Sequence, residues 1–248
     1  MIDKKTEKPR QGDRFYHRLA PFLEEFNSGL PVLVYHKLGF PRLCASNKGL
    51  FVAPKLFARQ LAELKAAGFD GRELDAKPEN GGVVITFDDG CVSVLEKALE
   101  PLLANGFTAI QFLATGFLGK RSSWDKDDEP LMDRSQVREW LQAGHTIGAH
   151  TVSHVSLTSV DEARAREEIT ASRKFLEDEF GVLVKHFCYP YGDWNERVAS
   201  LVAEAGYKTA STTVFGVNTA ADDPYALKRI HAYVPLRSLP GMYYFFRR

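Results

Sequence analysis

Two carboxylates stand side by side in Thr86-Phe87-Asp88-Asp89-Gly90, and two imidazoles stand four residues apart in His150-Thr151-Val152-Ser153-His154. One carboxylate with two neutral imidazoles makes an N/O donor set with room left for water, which suits a catalytic zinc or a similar divalent ion better than calcium or magnesium. Taken alone, Asp88 or Asp89 reads equally well as the cap of the helix that follows, and a cap needs only one of them. A third segment, Phe187 to Asn195, bends at Pro190 and Gly192 directly after a strand-like run and sets the rings of Tyr191 and Trp194 beside a loop. Rings and amides around a cleft suit sugar stacking and hydrogen bonding, with an ordinary packed turn as the alternative. His36, in Val34-Tyr35-His36-Lys37, sits at the end of an early strand and is placed to reach the same cleft.

These residues need a scaffold that brings distant segments together. Short β-rich runs alternate with helical patterns along the chain: Val32 to Tyr35, a helix over Lys55 to Ala67 ended by Gly68, Val83 to Thr86, a helix over Val92 to Ala104 closed by Asn105-Gly106, and a strand at Ala109 to Leu113. The pattern continues with a helix over Ser135 to Ala143, a strand at Thr146 to Ala149, a long amphipathic helix over Val160 to Phe180 stopped by Gly181, a strand-like run over Val184 to Tyr189, and a helix over Glu196 to Ala205. Strands separated by helices of this length imply parallel βαβ units. About seven such units in one domain predict an α/β fold, a (β/α) barrel whose functional groups collect at the carboxyl ends of its strands. The candidate residues fall at those ends. Residues 1–14 are polar and read as a loosely held segment ahead of a single domain over 15–248.

Composition narrows the function. The chain has 248 residues, 44% of them apolar and 26% charged, as in an ordinary folded domain. Thirty-two Lys and Arg balance 32 Asp and Glu, so no net field steers the protein toward nucleic acid or an anionic membrane. No apolar run reaches the ~18–20 residues that span a bilayer, and the N-terminus has no secretory pattern, which predicts a cytoplasmic protein. Three widely spaced cysteines, Cys44, Cys91 and Cys188, fit a reducing compartment better than a disulfide framework. Oligomeric state is not legible.

Together the motifs resemble the polysaccharide deacetylase family, carbohydrate esterase family four, whose nodulation-type catalytic domain is a distorted (β/α) barrel. Thr86 to Gly90 resembles its Thr-Phe-Asp-Asp-Gly motif, His150 to His154 its His-Ser/Thr-x-x-His motif, and Tyr189 to Gly192 its proline-aromatic loop. Ala143 to Gly148 and Glu204 to Tyr207 are similar to family phrases as well, so the likeness runs over residues 30–235. An early Tyr35-His36 resembles the permuted branch typified by poly-N-acetylglucosamine deacetylases, where the acid histidine lies near the start. The resemblance implies that Asp89, His150 and His154 hold a divalent metal (Zn²⁺ first, with Co²⁺, Ni²⁺ or Mn²⁺ as alternatives), that Asp88 is the general base, and that the loop around Tyr191 gives a backbone N–H to the oxyanion. It makes His36 the preferred acid, with His231 as competitor. The two aspartates must differ in role, because a carboxylate on a cation stays a ligand while its neighbour is free to accept a proton.

One departure from the family pattern stands out. Many members carry an arginine two positions before the motif proline, where it orients the base aspartate, and Cys188 stands there in this chain. Arg229, in a segment resembling the late Leu-x-Arg-Ile of the permuted branch, is the candidate replacement. Cys91 and Cys188 read as small packed residues, and Trp124 and Trp194 as either stacking platforms for pyranose rings or packed aromatics. The resemblance implies a metal-dependent hydrolase that removes N-acetyl groups from an amino-sugar polysaccharide or glycan precursor. Two alternatives remain: hydrolysis of a cyclic amide or ureide on the same fold, and a carbohydrate-binding protein that keeps the metal without turnover.

Overall fold

The computed structural model describes residues 15–42, 45, 47–125 and 128–232; the N-terminal segment 1–14, Cys44 and the end of the expected domain, 233–248, lie outside them. In chain order the elements are α1 (Leu23–Phe26), β1 (Val32–Tyr35), β2 (Lys37–Leu38), β3 (Phe51–Val52), α2 (Pro54–Ala66), β4 (Asp70–Gly71), β5 (Gly82–Phe87) and α3 (Val92–Asn105). They continue with β6 (Ile110–Leu113), α4 (Arg134–Gln142), β7 (Thr146–Ala149), α5 (Glu162–Phe180), β8 (His186–Cys188), α6 (Glu196–Glu204), β9 (Thr209–Ser211) and β10 (Ile230–His231). Seven parallel strands in the order β10-β1-β5-β6-β7-β8-β9 curl into a distorted (β/α) barrel with helices outside. Strand β4 adds to the start of β5, and β2 and β3 form a separate pair.

Both faces of these strands are covered, which is why β5 reads Gly-Val-Val-Ile-Thr-Phe, buried at every position, rather than alternating. Val32, Val84, Ile110, Phe112, Cys188 and Leu227 belong to the smaller apolar cluster, separate from the large one that joins the sheet to its helices. Gly148 is required here: a Cβ on it would lie 2.4 Å from the Phe112 ring. The seam between β9 and β10 is closed by residues 224–229, where Leu227 donates to Ala210 and accepts from Thr212, and the Arg229 amide donates to Val214. That closing segment carries Arg229 into the barrel.

Helix boundaries follow local chemistry. Asp133 and Gln136 form a reciprocal capping box on α4. Asp161 accepts from the Arg164 amide and Asn195 from the Val198 amide, so α5 and α6 begin one residue after their caps. The long helix therefore starts at Glu162, two residues later than its apolar pattern suggests. The run expected as a strand over 184–189 is a regular strand only over His186–Cys188; Pro190 and the turn behind it end it, although the Tyr189 amide still donates to the Ser211 carbonyl.

Two buried histidines make the scaffold sensitive to acid. Burial pulls His145, packed at a tilt against Trp140, and His186, bonded to the Thr209 hydroxyl, down to about 4. Between pH 6.5 and 4 the unfolded chain takes up protons that these folded imidazoles refuse, so stability is full above the ordinary histidine range and falls as pH falls. Thermal unfolding should show His145→Phe losing less Tm than the wild type from pH 7 to pH 4. Parallel declines would remove His145 from this account.

Candidate active site

Asp88 and Asp89 follow β5 directly, and neither caps α3, whose N-cap is Cys91 with no side-chain bond. Asp89 instead takes a left-handed backbone, φ 76°, followed by Gly90 at φ 85°. Such a conformation is costly for a residue with a Cβ; here the two adjacent carboxylates are directed to different partners. Asp89 Oδ1 lies 3.6 Å from His150 Nε2 and 3.2 Å from His154 Nε2. Asp88 turns to Arg229.

The Arg229 guanidinium, fully buried, donates from Nη1 to Asp88 Oδ1 and from Nη2 to Asp88 Oδ2, both at 2.8 Å. Its Nε donates to the Thr212 carbonyl at 2.7 Å, and its remaining contacts are the Thr86 hydroxyl at 3.3 Å and Cys188 Sγ at 3.2 Å. A planar fork held this way fixes the carboxylate in both position and rotation. Burial would raise Asp88, but the Arg229 charge and bonds, helped by His36, bring it down to about 2. Asp88 therefore stays ionised across the neutral range.

Asp89, His150 and His154 present their ligand atoms to one another, all within 4.8 Å. The donor chemistry fits a cation. His150 Nδ1 lies 2.7 Å from the Cys188 carbonyl, which can only accept, so Nδ1 carries a hydrogen and Nε2 is the atom turned toward Asp89 and offered to a cation. Asp89 is held well below the usual carboxylate range, because the two imidazole bonds outweigh its burial. His154 lacks that kind of anchor: its buried Nδ1 has no hydrogen-bond partner among the described residues. Aromatic contact holds the ring instead, Trp124 stacking on it at 4.0 Å and 13° and Tyr191 meeting it edge-on at 4.8 Å. Asp88, His150 and Cys188 also cluster, but a guanidinium already sits on that carboxylate and sulfur, which disfavours a second cation there.

The remaining expected residues divide around this centre. His36 Nε2 is 3.8 Å from Asp88 Oδ2, and burial lowers the imidazole despite the pull of Asp88 and Asp89. His231 also lines the cleft, but its Nε2 lies 3.4 Å from the Thr213 carbonyl, and burial with the Arg229 charge takes it down to about 4. Tyr191, at φ 62° and 54% exposed, forms one wall of a cleft of about 270 Å³. Pro190 is buried in the turn beneath it, and Trp194 stacks on Tyr189 at 6.5 Å behind the loop. Of the two tryptophans it is Trp124 that faces the cleft. Among the cleft residues that no motif announces is Asp125, paired at 2.7 Å with the buried Lys37 next to His36. That pair ties the Trp124 loop to the strand carrying the candidate acid.

This barrel and its motifs define a polysaccharide deacetylase: residues 75–210 match that family's profile, and the chain belongs to the family. Among individual proteins, YxkH of Bacillus subtilis is 27% identical over 222 residues, covering 86% of this chain and 72% of that one. The poly-beta-1,6-N-acetyl-D-glucosamine N-deacetylase of Staphylococcus aureus is 26% identical over 157 residues, 60% of this chain and 53% of the enzyme. The structure of the Streptococcus pyogenes deacetylase PplD in complex with acetate superposes with a TM-score of 0.74 at 24% identity, over 89% of this chain and 99% of that one. The last likeness is one of fold. Among the described residues no helix is long and apolar enough to cross a membrane.

Proposed function

We propose that this protein is a metal-dependent hydrolase that removes N-acetyl groups from an amino-sugar polysaccharide or its glycan precursor. The observation that carries the reading is the division of labour between neighbouring carboxylates, Asp89 facing two imidazoles while a buried arginine grips Asp88. A divalent cation bound by Asp89, His150 and His154, Zn²⁺ first and Co²⁺, Ni²⁺ or Mn²⁺ as alternatives, supplies Lewis acidity and a lowered pKa for water.

The chain's own groups then do the rest. Asp88 accepts a proton from the attacking water as its oxygen bonds to the acetamide carbon. The Tyr191 amide is assigned to the carbonyl oxygen, where negative charge develops, the Gly192 and Asp193 amides being engaged within the turn by Tyr189 and Pro190. His36 protonates the departing nitrogen as the C–N bond breaks, which gives acetate and a free amine. Asp88 then hands its proton to the imidazole 3.8 Å away, which supplies the proton that His36 delivers. Trp124 and Tyr191 flank the opening and suit the faces of a pyranose ring, with Pro190 and Trp194 supporting the loop. The S. aureus relative, named for its action on poly-β-1,6-N-acetylglucosamine, makes N-acetylglucosamine polymers the first substrates to test.

Acetate release from N-acetylglucosamine oligomers should be stoichiometric with new amines, abolished by a chelator, and restored by Zn²⁺ or Co²⁺. Cleavage of hydantoins or dihydropyrimidines in place of oligomers would move the protein to cyclic amides. Oligomer binding with no acetate from any acetylated glycan would make it a binding protein.

A further inference from the structure

Helix α5 carries one carboxylate that does not face solvent. Glu168 is 1% exposed, although its neighbour Glu167 has a side chain that is 67% exposed. Its Oε2 accepts from the backbone amides of Val152 at 2.8 Å and Ser153 at 2.9 Å, and its Oε1 accepts from the Ser153 hydroxyl at 2.5 Å. The cation that balances it, Arg164, reaches in from one turn earlier on the helix at 2.6 Å.

The amides it collects belong to the three residues between His150 and His154. This turn is strained: Thr151 has φ 67° and His154 has φ 56°, each in a left-handed region unfavourable to a residue with a side chain. Its carbonyls are taken from the other side, Thr151 by the Thr115 amide at 3.1 Å and Val152 by the Gly116 amide at 2.8 Å. Without Glu168 the two inward amides would be left bare, and the turn would lose what holds it in that shape.

We infer that Glu168 is a positioning residue for the cation site: by fixing the turn it sets where the His154 imidazole stands relative to Asp89 and His150. His154 depends on this because its own second nitrogen is unanchored, so the backbone beneath it and the rings beside it are what hold it. The inference rests on the reading that Asp89, His150 and His154 take up a divalent ion. Changes to such supporting groups typically weaken metal affinity about 10–100-fold.

The test is a Zn²⁺ titration of the full chain against a competing chromogenic chelator, with circular dichroism and thermal unfolding of the metal-free protein as the control for folding. Glu168→Gln should remain folded, bind Zn²⁺ about 10–100-fold more weakly than wild type, and show a smaller rise in Tm on adding Zn²⁺, while kcat at saturating Zn²⁺ recovers to within several-fold. Arg164→Gln, which leaves the amide bonds in place, should keep near-wild-type affinity. Wild-type affinity in a folded Glu168→Gln protein would overturn the inference and leave the metal reading intact. A wild-type chain that binds no Zn²⁺, Co²⁺ or Ni²⁺ would instead overturn the metal reading itself. Should Glu168→Gln fail to fold, Ser153→Ala removes only the bond to Oε1, and undiminished Zn²⁺ affinity in that variant counts against the inference.

Discussion

Asp88→Asn should lower kcat for acetate release by about 10²–10⁴-fold, the usual loss when a general base is removed, with Zn²⁺ affinity within a few-fold of wild type. The asymmetry follows from geometry. Asp88 points at Arg229, and Asp89 is the carboxylate that faces both imidazoles. An asparagine keeps the shape but cannot accept the proton. Because the buried Arg229 charge then loses its counter-ion, the variant should also unfold at lower temperature, and turnover is to be compared well below that transition. Single-turnover acetate release beside a Zn²⁺ titration separates the two quantities. A comparable collapse of both would mean that Asp88 is itself a ligand.

The second large effect is on stability. Arg229→Met should destabilise the fold by about 3–5 kcal/mol, since breaking a buried ion pair from one side leaves a bare charge behind. Its size changes with pH in a specific way. In the wild type Asp88 is held at about 2, below its unfolded value, so its contribution is present above the ordinary carboxylate range and is lost as pH falls toward 2. With the guanidinium gone, burial, the largest influence, is opposed only by His36 and His150 and pushes Asp88 upward, so the variant gains relative stability as the carboxylate protonates. The Tm gap between wild type and Arg229→Met should therefore narrow from pH 7 to pH 4, and the acid limb of any residual activity should move to higher pH. A gap that stays constant would show that the pair does not govern Asp88.

The contiguous motifs were legible because each lies in one short stretch at the end of one strand, where a barrel must put functional side chains. Arg229 was legible only as a substitute for what Cys188 lacks; its approach from the closing segment needed coordinates. Lys37 and Asp125 are 88 residues apart and meet through packing alone, so no spacing could reveal them. Trp124 and Trp194 looked equivalent as sequence, and differ because one loop folds over His154 while the other ring stacks outward on Tyr189. Glu168 is different again. It shares the inner face of α5 with Ala165, Ile169, Ser172 and Leu176, so the helical period already placed a carboxylate among core residues, and its signal was hidden only by the charged residues around it.

The segment that closes the barrel between β9 and β10 also delivers the counter-cation of Asp88. Ribosomal synthesis runs toward that segment, so His36, Asp88, Asp89, His150 and His154 all emerge before Arg229 does. A partly made chain holds Asp88 without its guanidinium partner until residues 224–231 dock. The last stretch of the sheet to be made therefore also brings the buried charge that Asp88 is paired with.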